Sequence, residues 1–103
     1  MIVMMLEDLR VESFSPHVGT AFTLKVGDLE EVFTLREAVS RRERGVAGMR
    51  PPFSLIFHGS RTDIMFNQQI LPLTHPEMGD LPLFLVPIGR NEDGTVCYQA
   101  VFN

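Results

Sequence analysis

The feature that most constrains this chain is a period-two alternation of apolar and polar residues, recurring in short runs that turn-forming residues bring to an end. From Ala21 the order sets Phe22, Leu24 and Val26 on one side and Thr23 and Lys25 on the other, the period of a half-buried strand. Gly27-Asp28 then supplies a turn, and Glu30 to Val39 sets Phe33 and Leu35 against Thr34 and Arg36. These two runs predict an antiparallel hairpin. Phe53-Ser54-Leu55-Ile56-Phe57 resumes the alternation and ends before Gly59. Gln69 to His75, the turn Pro76-Glu77-Met78-Gly79 and Leu81 to Ile88 predict a second hairpin. Arg90-Asn91-Glu92-Asp93-Gly94 turns the chain once more into Thr95 to Phe102, where Val96, Tyr98, Ala100 and Phe102 share a face.

About six antiparallel strands at this spacing predict a mainly β domain, built as a small barrel, roll or sandwich. One short helix precedes them: Ser13-Phe14-Ser15-Pro16 offers Ser13 or Ser15 as its cap and Pro16 for its first turn, and Gly19 ends it. Pro82 and Pro87 bracket Leu83 to Val86, and a proline cannot donate to a ladder. That strand is therefore expected at an edge or at a bulge. At an edge, Leu83, Phe84 and Leu85 would receive a partner strand, or the prolines would blunt the edge against aggregation.

A chain of 103 residues fits a single domain over 1–103. Its eight Phe and 45% apolar content are enough to offset chain ordering without a metal or a disulfide. Cys97 is the one cysteine, which excludes an intrachain disulfide and fits a reducing, cytoplasmic setting. Met1 to Leu6 is apolar but short, with no basic segment before it, so no signal peptide is read. No run approaches the length of a spanning helix, and no membrane partner is expected. A net charge of −4 opposes nucleic-acid binding. An oligonucleotide-binding barrel is disfavoured for the same reason, and because most phenylalanines fall on faces expected to be buried.

Residues 40–52 interrupt the strand pattern and are expected to form an exposed loop. Arg41, Arg42, Arg44 and Arg50 lie there, and they either grip an acidic partner or serve as a solvated face. Ile64, Met65 and Phe66 form an apolar patch that is either an interface or a lid over the core.

Candidate chemistry is sparse. His17, His58 and His75 are the side chains that titrate near neutrality, yet their spacing matches no motif. His75 heads a turn whose backbone its ring can bond, and His17 helps to end the helix. A metal site from His58, Asp63 and His75 is conceivable but lacks close ligand pairing. Cys97 points away from the Val96 face and has no cationic neighbour in sequence to activate it. No Gly-x-Ser-x-Gly segment and no phosphate-cradling glycine loop occurs. No catalytic residue and no cofactor are therefore assigned.

Several segments carry a family resemblance: Leu6-Glu7-Asp8-Leu9, Phe14 to Gly19, Pro52 to Phe57 with Gly59, His75 to Gly79, Leu83 to Gly89, and Tyr98-Gln99-Ala100-Val101-Phe102-Asn103. In these the chain resembles a family of short bacterial proteins that form a domain of unknown function. The resemblance implies a stand-alone protein of this size, often encoded near proteins with a phage-tail-collar-like domain, and hence an accessory or assembly role with a protein partner. It also implies a start at Met5, which would make residues 1–4 an extension. The leading expectation is a non-enzymatic interaction module. The alternative is a small-ligand or metal-binding barrel, enzymatic or not, in which His58 and His75 converge across neighbouring strands.

Overall fold

The computed structural model describes residues 6–40 and 51–103. Six strands form one closed antiparallel barrel: β1 (Ala21–Val26), β2 (Leu29–Ser40), β3 (Phe53–His58), β4 (Gln69–His75), β5 (Gly79–Arg90) and β6 (Val96–Phe102). Their order around the barrel is β1-β2-β3-β6-β5-β4. Of the expected architectures, the barrel is the one that forms, with the strands where the alternation predicts them. Ser40, expected to open a loop, is the last residue of β2, and Pro52, expected to be exposed, is buried.

The alternation decides what fills the barrel. Phe22 and Leu24 of β1, Phe33 and Leu35 of β2, Leu55 and Phe57 of β3, and Val96 and Tyr98 of β6 are all 1% exposed or less. Phe22 meets Phe57 edge-on with ring centroids 5.3 Å apart, and Phe33 meets Tyr98 at the same distance. Barrel diameter grows with strand number, and eight strands leave room for packed side chains or one small ligand; with six strands these rings fill the interior.

A short helix, α1 (Val11–Phe14), precedes the barrel and passes into a 3-10 turn at Ser15–His17. The helix begins earlier than expected. Ser13 is not its cap but sits inside it, where its Oγ accepts the Arg10 N–H at 3.0 Å. Ser15 donates its hydroxyl to the Val11 carbonyl at 2.8 Å, and Pro16 occupies the start of the 3-10 turn instead. Phe14 is fully buried against Phe22, Phe53 and Phe102, so the helix closes the barrel with an aromatic plug.

β5 is not an edge strand. It pairs with β4 along Gly79 to Leu85 and with β6 along Val86 to Arg90, with a bulge between Pro87 and Gly89. The bulge is the alternative that the prolines permitted. Pro82 stands directly opposite Pro72. Neither has an N–H to exchange, so this must be a non-hydrogen-bonded pair, in which both backbones face away from each other. Pro72 then faces β1 and Pro82 faces β6. On those two sides the ladders are short: β1 and β4 pair only at Thr23–Thr74 and Leu24–Leu73, and the β5–β6 ladder stops at Val86–Gln99.

Candidate functional site

The outer surface carries an apolar row that follows the strand register. Val39 of β2 lies opposite Ser54 of β3, and Ser54 lies opposite Val101 of β6. On the other side of the β5–β6 seam, Phe84 of β5 lies opposite Ile70 of β4. Val39, Val101, Phe84 and Ile70 are 45%, 46%, 51% and 65% exposed. Phe84 and Val101 line one groove of about 220 Å³ at the seam, with Pro82, Leu83, Ala100 and Phe102. The apolar side chains of the row come from β2, β6, β5 and β4, with Ser54 of β3 between Val39 and Val101; exposed apolar side chains grouped in this way mark interaction surfaces more often than scattered ones do.

Of the three β5 residues expected to meet a partner, only Phe84 offers its side chain. Leu83 and Leu85 are 1% exposed because a period of two turns both of them into the core. Arg41, Arg42, Arg44 and Arg50 lie outside the described residues.

Two histidines meet elsewhere. His17, from the 3-10 turn, and His75, the last residue of β4, stack edge-on with centroids 4.7 Å apart. With Pro16, Thr20, Pro76 and Glu77 they line a pocket of about 340 Å³. His75 Nδ1 accepts the N–H groups of Glu77 and Met78 at 3.1 and 3.2 Å. Nε2 must then carry the proton and donates it to Thr20 Oγ1 at 2.9 Å, while Thr20 donates to the His17 carbonyl at 2.6 Å. Burial, followed by the neighbouring His17, lowers the His75 pKa, and Glu77 opposes this. His75 is therefore a neutral ring that ties the β4–β5 turn to the segment before β1. His17 Nδ1 lies 3.4 Å from the Glu77 carboxylate, at the mouth of the pocket.

His58 and His75 do not converge. They end β3 and β4, which are not neighbours in the barrel. Asp63 is taken up by Arg61, which bonds both of its oxygens at 3.0 and 2.7 Å and lowers its pKa. Among the described residues no three His, Cys, Asp or Glu side chains form a group that could hold a metal. Cys97 is half-buried, and burial, then Glu37, raise its pKa away from the reactive thiolate. Phe66 is a lid: it packs on Phe33, and its N–H donates to Tyr98 Oη at 3.0 Å. Met65 beside it is half exposed.

The polar residue that sequence reasoning missed is Glu31. It shares the inward face of β2 with Phe33 and Leu35 and is 1% exposed. Its Oε1 accepts the N–H of Val32 at 2.8 Å, the N–H of Ser60 at 3.0 Å and the Ser60 hydroxyl, and its Oε2 accepts the N–H of Arg61 at 3.2 Å. The signal was a carboxylate at i−2 and i−4 from two core residues of one strand.

Among the described residues no helix is long and apolar enough to cross a membrane. No curated protein and no solved structure matches the chain. One family model does match, over residues 9–102, which takes in α1 and all six strands. By that match the chain belongs to the family described as Domain of unknown function (DUF6916).

Proposed function

We propose that this barrel is a non-enzymatic interaction module of the cytoplasm that docks a protein partner on the outer row Val39, Val101, Phe84 and Ile70. The single observation that carries the reading is the exposure of these four side chains on β2, β6, β5 and β4, around an interior already packed with its own rings. Covering what remains exposed of them would supply roughly 3–6 kcal/mol before the cost of association, a useful share of a transient interface. The polar clusters do not compete as centres of chemistry: His75 and Glu31 are both engaged with backbone groups. A phage-tail-collar-like protein is the candidate partner that the family resemblance names.

The test compares the wild-type chain with Ile70→Lys and Phe84→Lys, and with Arg36→Ala as a surface control, in pull-downs from the native host. A partner held in stoichiometric amount by the wild type and the control but lost by both lysine variants, at unchanged melting temperature, supports the reading. Retention by the lysine variants overturns it.

A further inference from the structure

The side chains around the His17–His75 pocket have been left with acceptors. Thr20 Oγ1 gives its one proton to the His17 carbonyl and takes the Nε2 proton of His75, so one lone pair of the hydroxyl stays open. His17 holds Nδ1 3.4 Å from Glu77 Oε2; the ring proton sits on that nitrogen and Nε2 is an acceptor. The Glu77 side chain is 75% exposed, and its carboxylate is the one full charge at the mouth. Donors are scarce. The Glu77 N–H is taken by His75 Nδ1 and the Thr20 N–H by the His17 carbonyl, while Pro16 and Pro76 have no N–H to give. Among the described residues no Lys or Arg lines the pocket.

We propose that this pocket binds the ammonium group of an alkylamine, whether a free amine or a lysine side chain. An –NH₃⁺ group brings three donors and no acceptor, and Glu77, His17 Nε2 and Thr20 Oγ1 answer it with three acceptors, one of them charged. An anion of the same size would meet the Glu77 carboxylate instead. A metal ion is poorly served, because a third His, Cys, Asp or Glu ligand is missing from the group. The rings of Pro16 and Pro76 and the Ala21 methyl give the alkyl stem apolar walls, and the volume of about 340 Å³ falls within the range of small-molecule sites. His75 is the positioning residue: buried, it fixes Thr20 through Nε2 and Glu77 through Nδ1. The β1–β4 pairing at Thr23–Thr74 is what brings the His17–Thr20 segment beside the β4–β5 turn. The inference stands independently of any partner on the outer row.

The experiment titrates the full chain with n-butylamine hydrochloride at pH 7.5 and constant ionic strength, following the amide resonances of His17, Thr20 and Glu77 by NMR. Sodium butyrate is the anionic counterpart. Glu77→Gln is titrated in parallel, with Glu92→Gln, at the far end of β5, as the control for net charge. The expected result is saturable shifts at the three amides with a dissociation constant on the order of 1 mM for so small a probe, and none with butyrate. Glu77→Gln should bind roughly fivefold more weakly, the worth of one exposed charge interaction, and Glu92→Gln as the wild type does. Undiminished binding by Glu77→Gln would overturn the proposal, as would butyrate saturating the same amides or amine shifts that never saturate. Nα-acetyl-lysine amide distinguishes the sources: tighter binding than n-butylamine supports the site as one for a lysine side chain, and binding no tighter supports it as one for a free amine.

Discussion

Glu31→Ala tests how much of the barrel's stability depends on one buried carboxylate. The substitution strands the backbone N–H groups of Val32, Ser60 and Arg61 and the Ser60 hydroxyl, all of which the carboxylate accepts in the folded chain. A buried donor left without a partner costs about 1–3 kcal/mol. Ser60 is exposed and Arg61 partly so, so water can recover some of that loss at the loop. Four donors lose their acceptor together, two or more of them where water can reach, and we expect a total loss of about 3 kcal/mol. For a domain of this size the melting temperature should fall by roughly 12–24 °C.

Glu31→Gln is the informative companion. Its carbonyl can replace Oε1 and keep three of the four donors, while its NH₂ would face the Arg61 N–H in place of Oε2. A smaller loss, about 1–2 kcal/mol, follows. Urea unfolding followed by circular dichroism measures both. A Glu31→Ala chain within about 1 kcal/mol of wild type would refute the reasoning, because the 59–61 loop would then not depend on the carboxylate at all.

Two further predictions concern the polar anchors. The pKa of His75 is lowered in the folded state, first by burial, so below the ordinary value of about 6.5 the unfolded chain binds more protons. Stability should be fully present above pH 6.5 and fall as the pH drops below it, and His75→Asn should flatten that slope in thermal melts from pH 7.5 to 5; an unchanged slope would show that another group carries it. Tyr98→Phe removes the acceptor of the Phe66 N–H and should cost about 1 kcal/mol, with exchange at the Phe66 amide accelerated; no change at that amide would mean that water replaces the hydroxyl.

The strands were legible because a half-buried strand writes its two faces directly into the order of residues, as Phe22-Leu24 and Val96-Tyr98-Ala100-Phe102 do. Barrel closure was not legible. It depends on β3 meeting β6 and β1 meeting β4, and no local pattern encodes either pairing. The prolines illustrate the difference: Pro82 alone suggests an edge, and only its position opposite Pro72 shows that a paired strand can carry it. Ser13 misled because a serine before an apolar run reads as a cap, whereas here it accepts the Arg10 N–H from within the turn. The turn role of His75 could be read from Pro-Glu-Met-Gly; its contact with His17 could not, since it joins segments on either side of β1 to β3.

The strand order divides the barrel into two meanders, β1-β2-β3 and β4-β5-β6, each made of consecutive neighbours. Within each, paired strands are consecutive in the chain, separated by at most the twelve residues between Ser40 and Phe53. The two halves join along a six-pair ladder between β3 and β6 and along two pairs between β1 and β4. Thr23 and Thr74, which make one of those two pairs, are separated by 74 − 23 = 51 positions in the chain. Loop-closure entropy puts that contact among the most expensive to form, and few backbone bonds reward it when it does. The β1–β4 junction is thus where the barrel closes last during folding and where the closed ring is most easily breached.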